Sequence, residues 1–329
     1  MHLIIATDEA GYGPKLGPLI IAATAWRVPS VSDIEKAFEN LSRPVSDDRC
    51  GSVFIDDSKK VFKRNPSLAE GQQTMLEVVC QAASHWAALP DPVSAYAKWL
   101  SEVAAEDFDQ IATIPWYASH LIRKTKQTDA PFRACNQKII DHWSALGVKL
   151  CGIQARVITA SSFNNMVNLG SNKADILTEG TCGLVWQLIS KHAGASTEVS
   201  VFSDRHGGRA YYGAALQHQF PDSSMRVLQE ASKVSKYLLQ GSPNCGDIEW
   251  SFTVSGDSFP PVAFSSMIAK WLREHAMGQF NEYFQRKLPL GETLIATAGY
   301  PSDANRYLAD LQRLGLRQGI DDDLLIRKR

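Results

Sequence analysis

The chain has 329 residues, 44% hydrophobic and 21% charged, which suits a globular protein with one sizeable core, or one core and an added lobe. No apolar run reaches the roughly 18 residues that a membrane span needs, and no basic-then-apolar leader opens the sequence. The six cysteines (50, 80, 135, 151, 182 and 245) form no C-x-x-C pair, so free thiols in a cytoplasmic protein are expected, with neither a zinc site nor a disulfide framework. A net charge of −1 and a pI near 6.7 exclude a uniformly basic nucleic-acid binder; any phosphate contact must come from a local basic patch.

Residues 3–7 form a short apolar stretch that stops at Asp8-Glu9. Gly11, Gly13, Pro14, Gly17 and Pro18 then mark a turn, and residues 19–26 read as a second strand, antiparallel to the first. A third short strand over 53–55 leads into Asp56-Asp57-Ser58-Lys59-Lys60. Helical periodicity covers 68–86, with Leu68, Met75, Val78, Val79 and Ala82 on the apolar face. From 88 to 147 the pattern is mixed, rich in tryptophan (Trp99, Trp116, Trp143) and broken by Pro90, Pro92, Pro115 and Pro131, which predicts an inserted lobe. Residues 148–160 read as a strand and 173–191 as a helix presenting Ile176, Leu177, Leu184, Val185 and Leu188. Residues 199–202 form a buried strand ending at Ser203-Asp204, 251–254 a further strand, and 262–286 a long helix. This order predicts a single α/β domain over 1–329, with a mixed sheet, an antiparallel start and flanking helices.

Acidic residues recur at the ends of these elements: Asp8-Glu9 after the first strand, Asp204 after a buried one, and Glu274 on the long helix. Carboxylates at strand ends can converge at one sheet edge, and clustered hard oxygen ligands are what Mg²⁺ or Mn²⁺ require. Two such ions about 4 Å apart can hold a phosphodiester, activate water and stabilise the leaving oxygen.

Five strings then carry a family resemblance. "TDEAGYGPKLGPLIIAATAW" is similar to the opening of ribonuclease HII, and "DDSKK", with Arg64 shortly after, to its next signature. "SVFSDRHGGR" corresponds to the strand that supplies the third acid. "GDSFPPVAFSSMIAKWLREHAM" resembles the G-D and S-x-I-A-K-x-x-R-D segment, and "TAGYPSDANRYL" the late G-Y-P-T element. The match covers roughly the first 65 residues and 148 to the end, but not 88–147. The resemblance implies a ribonuclease H-like fold and a Mg²⁺- or Mn²⁺-dependent endoribonuclease. Its reaction would be hydrolysis 5′ of a ribonucleotide in RNA/DNA hybrids or ribonucleotide-containing DNA, leaving a 3′-OH and a 5′-phosphate. Asp8, Glu9, Asp204 and Glu274 would be the metal-binding and catalytic acids. Gly11-Tyr12-Gly13 would offer backbone N–H groups to the ribonucleotide, Tyr300 would stack near its sugar and help read the 2′-OH, and Lys59, Lys270 and Arg205 or Arg209 would neutralise phosphates. The segment 288–329 would close over the substrate.

Four departures accompany the match. The family's arginine in G-R-G is Tyr12 here, its fourth aspartate is Glu274, the lysine after G-D-A is missing, and "RHGGR" replaces a shorter turn. These leave open a same-fold nuclease for another DNA or RNA structure, or a non-catalytic nucleic-acid-binding protein. G-Y-G-P-K-L-G is not expected to cradle a dinucleotide, because Pro14 and the preceding acids disfavour a phosphate-binding helix start. His206 could shuttle protons or be structural, and the basic stretch 123–126 could touch nucleic acid or be a solvated face.

Overall fold

A computed structural model describes residues 2–28, 34–48, 50–61, 74–122, 130–242 and 244–328. In chain order these form β1 (His2–Ala10), β2 (Leu19–Val28), α1 (Ile34–Phe38), β3 (Val45–Asp47), β4 (Gly51–Val53), α2 (Ser58–Val61), α3 (Met75–Trp86), α4 (Tyr96–Val103), α5 (Phe108–Thr113), α6 (Pro115–Leu121) and α7 (Ala130–Ser144). There follow β5 (Lys149–Ile158), α8 (Ala160–Asn168), α9 (Lys173–His192), β6 (Glu198–Asp204), α10 (Gly213–Gln219), β7 (Ser224–Glu230), β8 (Val234–Gln240), β9 (Ile248–Thr253), α11 (Pro260–Gln285), α12 (Pro301–Arg313) and α13 (Asp322–Leu325).

Seven strands make one sheet in the order β5-β2-β1-β6-β9-β8-β7. The β1–β2 pair is antiparallel, as the glycine-rich connection predicts, β5 adds antiparallel beyond β2, and β6 and β9 join parallel on the other side of β1. This is the mixed sheet with an antiparallel start that the sequence implies. The β7–β8 hairpin, which extends the sheet, had no separate place in the sequence reading. The predicted third strand at 53–55 shifts to β4, which pairs only with β3 in a separate two-stranded sheet.

Alternation along the strands divides the apolar side chains between two cores, one on each face of the sheet. Leu3, Ile5, Val199 and Val201 pack under α9, while Ile4, Ala22 and Trp26 pack under α11. The tryptophan-rich segment joins the α11 side: Trp99, Trp116 and Trp143 are buried there with Trp26 and Phe264, so the described residues of 88–147 are mostly helical and share a core with the sheet. Trp143 and Trp26 both meet Phe264 edge-on, at ring-centroid distances of 5.3 and 5.1 Å. The expectation of free thiols throughout fails at one place: Cys50, in the β3–β4 turn, is disulfide-bonded to Cys135 of α7. The two are 85 residues apart, a separation that local spacing rules do not detect. Among the described residues no helix is long and apolar enough to cross a membrane.

Candidate active site

The parallel register sets the first two acids. Thr7 of β1 pairs with Ser203 of β6, so Asp8 and Asp204 occupy the next rung, one on each strand. Strand parity then sends Thr7 and Ser203 to the α9 face, where their hydroxyls bond at 2.7 Å and the Trp250 indole donates to Ser203 at 2.9 Å. Asp8 and Asp204 take the α11 face. There Asp8 is met by the Ser266 hydroxyl from α11, and Asp204 Oδ1 accepts from the Gly256 N–H at 2.8 Å.

Gly256 opens a short 3₁₀ turn just past β9 and packs against the backbone of Asp204; a Cβ there would lie 3.0 Å from the Asp204 Cα. That close approach carries Asp257 to the cluster. Asp8, Glu9, Asp204 and Asp257 line one cavity of about 240 Å³, together with Ser58, Ser266, Lys270, Arg273, Tyr300 and the Ala10–Gly13 turn. Burial pushes the Asp8 carboxyl well above its ordinary range, and the neighbouring Glu9 and Asp204 carboxylates push it further. An oxygen-only donor set this crowded with negative charge fits a hard divalent cation, whose charge offsets both the repulsion and the desolvation.

Glu274 does not line this cavity. Ser266, Lys270 and Arg273 form one stripe of α11 facing it. Glu274 lies eight residues beyond the Ser266 that touches Asp8, about 12 Å further along the helix axis at 1.5 Å per residue. Its carboxylate instead accepts from Lys270 Nζ at 2.8 Å and lies 3.8 Å from the Arg273 guanidinium. Asp257, which the sequence analysis does not single out, lines the cavity with the other acids. Its local signal, an acid after Gly256 at the end of a strand parallel to the one carrying Asp204, was present in the sequence.

Arg205 also departs from expectation. Its guanidinium is taken up by the carbonyls of Ala231 and Ser232 and the Ser235 hydroxyl, which pins the β7–β8 turn and leaves it off the cavity. Arg209 pairs with Asp175 of α9 and lines a separate groove. His206 is structural. It is buried, both ring nitrogens face the hydroxyls of Thr178 and Thr181, and burial lowers its pKa to about 3, which favours the neutral ring. From the "DDSKK" string, Ser58 reaches the cavity, its hydroxyl 3.0 Å from that of Ser266. Lys59 lies in α2, but its side chain, like Arg64 and the basic stretch 123–126, is outside the described residues.

Gly11, Tyr12, Gly13, Lys270 and Tyr300 do converge. Gly11 has φ +89°, and a Cβ on it would meet the Pro18 carbonyl and the Arg273 side chain at 2.6 Å. Gly299, at φ +85°, accepts from the Lys15 and Leu16 N–H groups, which couples the glycine turn to the Tyr300 segment. Gly11→Ala is expected to cost about 1–3 kcal/mol, since it adds a left-handed strain to a blocked Cβ. Urea denaturation should show it, with an accompanying loss of activity. An unchanged midpoint would mean that the turn tolerates a side chain. The Tyr12 ring lies against Gly207 with Lys173 Nζ 4.5 Å over its face, so a lysine cation from α9 sits on this aromatic surface.

No family model and no curated protein matches the chain. Solved structures similar to it include the PCNA:RNase HII complex from Archaeoglobus fulgidus, at 14% identity and TM-score 0.41, covering 99% of this chain and 94% of that one. Bst-RNase HIII in complex with Mn²⁺ is 11% identical with TM-score 0.41 over 99% of this chain, which spans 66% of that longer protein. The ribonuclease H2 from Pyrococcus horikoshii OT3 is 12% identical with TM-score 0.41, over 98% of this chain and 92% of that one. The structures the chain resembles are ribonucleases of the HII, H2 and HIII kinds.

Proposed function

We propose that the chain is a metal-dependent endoribonuclease that hydrolyses the phosphodiester 5′ of a ribonucleotide, in RNA/DNA hybrids or in DNA containing ribonucleotides. The observation that carries this reading is the convergence of Asp8, Glu9, Asp204 and Asp257 in one cavity with the glycine turn and Tyr300. Asp8, Asp204 and Asp257, with Glu9 at the rim, would hold Mg²⁺ or Mn²⁺. When bound, the ions supply Lewis-acid charge to the phosphoryl oxygens and lower the pKa of water.

The remaining work falls to the chain. Lys270 lines the cavity and is oriented by Glu274, so it places a cation where a phosphate would lie. Glu274 is thereby a positioning residue for Lys270. The Gly11–Gly13 backbone can approach the ribose closely because Gly11 has no Cβ to obstruct it. Tyr300 is half-exposed and its ring borders Gly13, which suits it to pack against a sugar and to read its 2′-OH. With His206 neutral and enclosed, proton transfer falls to the carboxylates and solvent.

The test is cleavage of a DNA duplex holding one ribonucleotide, in Mg²⁺ and separately in Mn²⁺, with Asp8→Asn as control. Cutting just 5′ of the ribose that is lost in the variant is expected. Cutting of an all-DNA junction at an equal rate would move the substrate to another structure, and tight binding without turnover in either metal would make the chain a binding protein.

A further inference from the structure

A second small cavity lies on the far side of the glycine turn. Its volume is about 40 Å³, too little for a nucleobase. Four cations, Lys15, Lys173, Arg327 and Lys328, line it with Gly13 and Pro301, and among the described residues no acidic one does. Arg327 is the unusual member. It is 3% exposed, its Nη2 donates to the Gly11 carbonyl at 2.6 Å and to that of Pro14, and its Nε and Nη1 have no hydrogen-bond partner. The ionisable groups that act on it are a second buried guanidinium, Arg273, and the Tyr117 phenol, so no carboxylate among the described residues neutralises it. A guanidinium stays protonated, and a buried, unpaired charge is costly unless an anion comes to it.

Two of the lysines are held by amide oxygens. Lys15 Nζ is steadied by the Asn305 amide oxygen at 2.9 Å, and Lys328 Nζ by that of Asn168 at 2.8 Å, with Asp323 more distant at 3.8 Å. Pro301 is the first residue of the 13-residue helix α12, whose positive end therefore borders the same space.

We infer that this cavity is a subsite for a backbone phosphate of the bound nucleic acid, neighbouring the one at the carboxylate centre. The two cavities share Gly13, and Lys173 of the basic one covers the Tyr12 ring of the acidic one. A strand laid over the glycine turn would thus present one phosphate to each. The subsite deepens the nuclease reading and rests on it for the identity of its ligand. It also explains how a chain of net charge −1 can hold a polyanion: the cations are gathered at one point.

The experiment replaces single phosphates near the ribonucleotide by neutral methylphosphonates and measures the Kd of each duplex in Ca²⁺, for wild type and for Lys15→Gln/Lys328→Gln. Both lysines reach solvent, so the double variant is expected to fold. Neutralising the engaged phosphate should weaken wild-type binding about tenfold, as loss of a charge-assisted contact does. The same replacement should have little effect in the variant, a non-additivity confined to one position. Equal losses in both proteins at every position would overturn the subsite. So would competition by inorganic phosphate with no position coupled, which would mark a site for the free anion. The same scan on an all-DNA duplex separates the two ideas: coupling there without any ribonucleotide-dependent cleavage would sink the substrate reading and keep the subsite.

Discussion

Asp257→Asn is expected to lower the single-turnover cleavage rate of a ribonucleotide-containing duplex by about 10²- to 10³-fold, as loss of a group that stabilises developing charge does. Glu274→Gln should lower it by only about ten- to a hundredfold, the usual effect of disturbing an outer partner. The difference follows from geometry. Asp257 lines the cavity with Asp8 and Asp204, whereas the Glu274 carboxylate is spent on Lys270 and Arg273. Titration with Mn²⁺ provides a second readout: Asp257→Asn should demand more metal for half-maximal rate, and Glu274→Gln should instead raise KM through a less well-oriented Lys270. If Glu274→Gln proves the more damaging and shifts the metal requirement, the fourth ligand is Glu274 and the reading of the cavity is wrong.

Asp8→Asn should abolish cleavage and yet stabilise the metal-free protein, by about 0.5–2 kcal/mol, because removing a strained active-site charge relieves a cost of function. The sign follows from the raised folded-state pKa of Asp8. Below the ordinary value of 3.8 the group is protonated in both states and carries no penalty. As the pH rises from there towards the elevated folded pKa, the unfolded chain ionises freely while the folded one resists, and stability falls. Metal-free wild type should therefore lose stability over that window, and Asp8→Asn should lose less. Saturating Mn²⁺ should raise the Tm of the wild type by mass action and raise that of the variant far less. A wild-type melt indifferent to Mn²⁺ would falsify the metal site.

The near-neutral composition, the antiparallel opening pair, the long helices and the acids at the ends of β1 and β6 were all legible in the sequence, because each depends on local periodicity and turn chemistry. The short apolar run before Asp8-Glu9 and the glycine-rich turn after it mark β1, although the strand runs on through both acids to Ala10. Periodicity likewise found α9 and α11 to within two residues at either end. Strand parity alone could not show that Asp8 and Asp204 share a rung, since that depends on the pairing of Thr7 with Ser203 across almost two hundred residues. Nor could helical periodicity decide between Glu274 and Asp257. Both carry a carboxylate near a family-like string, and only the engagement of Glu274 with Lys270 and Arg273 and the packing of Gly256 on Asp204 put one inside the cavity and the other outside it. Sequence reads Arg205 as a phosphate ligand, whereas the β7–β8 turn supplies carbonyls for its guanidinium, and only the packing shows the tryptophans of 88–147 meeting Trp26 and Phe264 in one core. The burial of Arg327 beneath the glycine turn joins residues more than three hundred positions apart. Local sequence determined which elements form and which way their side chains alternate. The tertiary structure decided which charges meet, because convergence depends on strand register, helix phase and the competition of backbone carbonyls for the same cations.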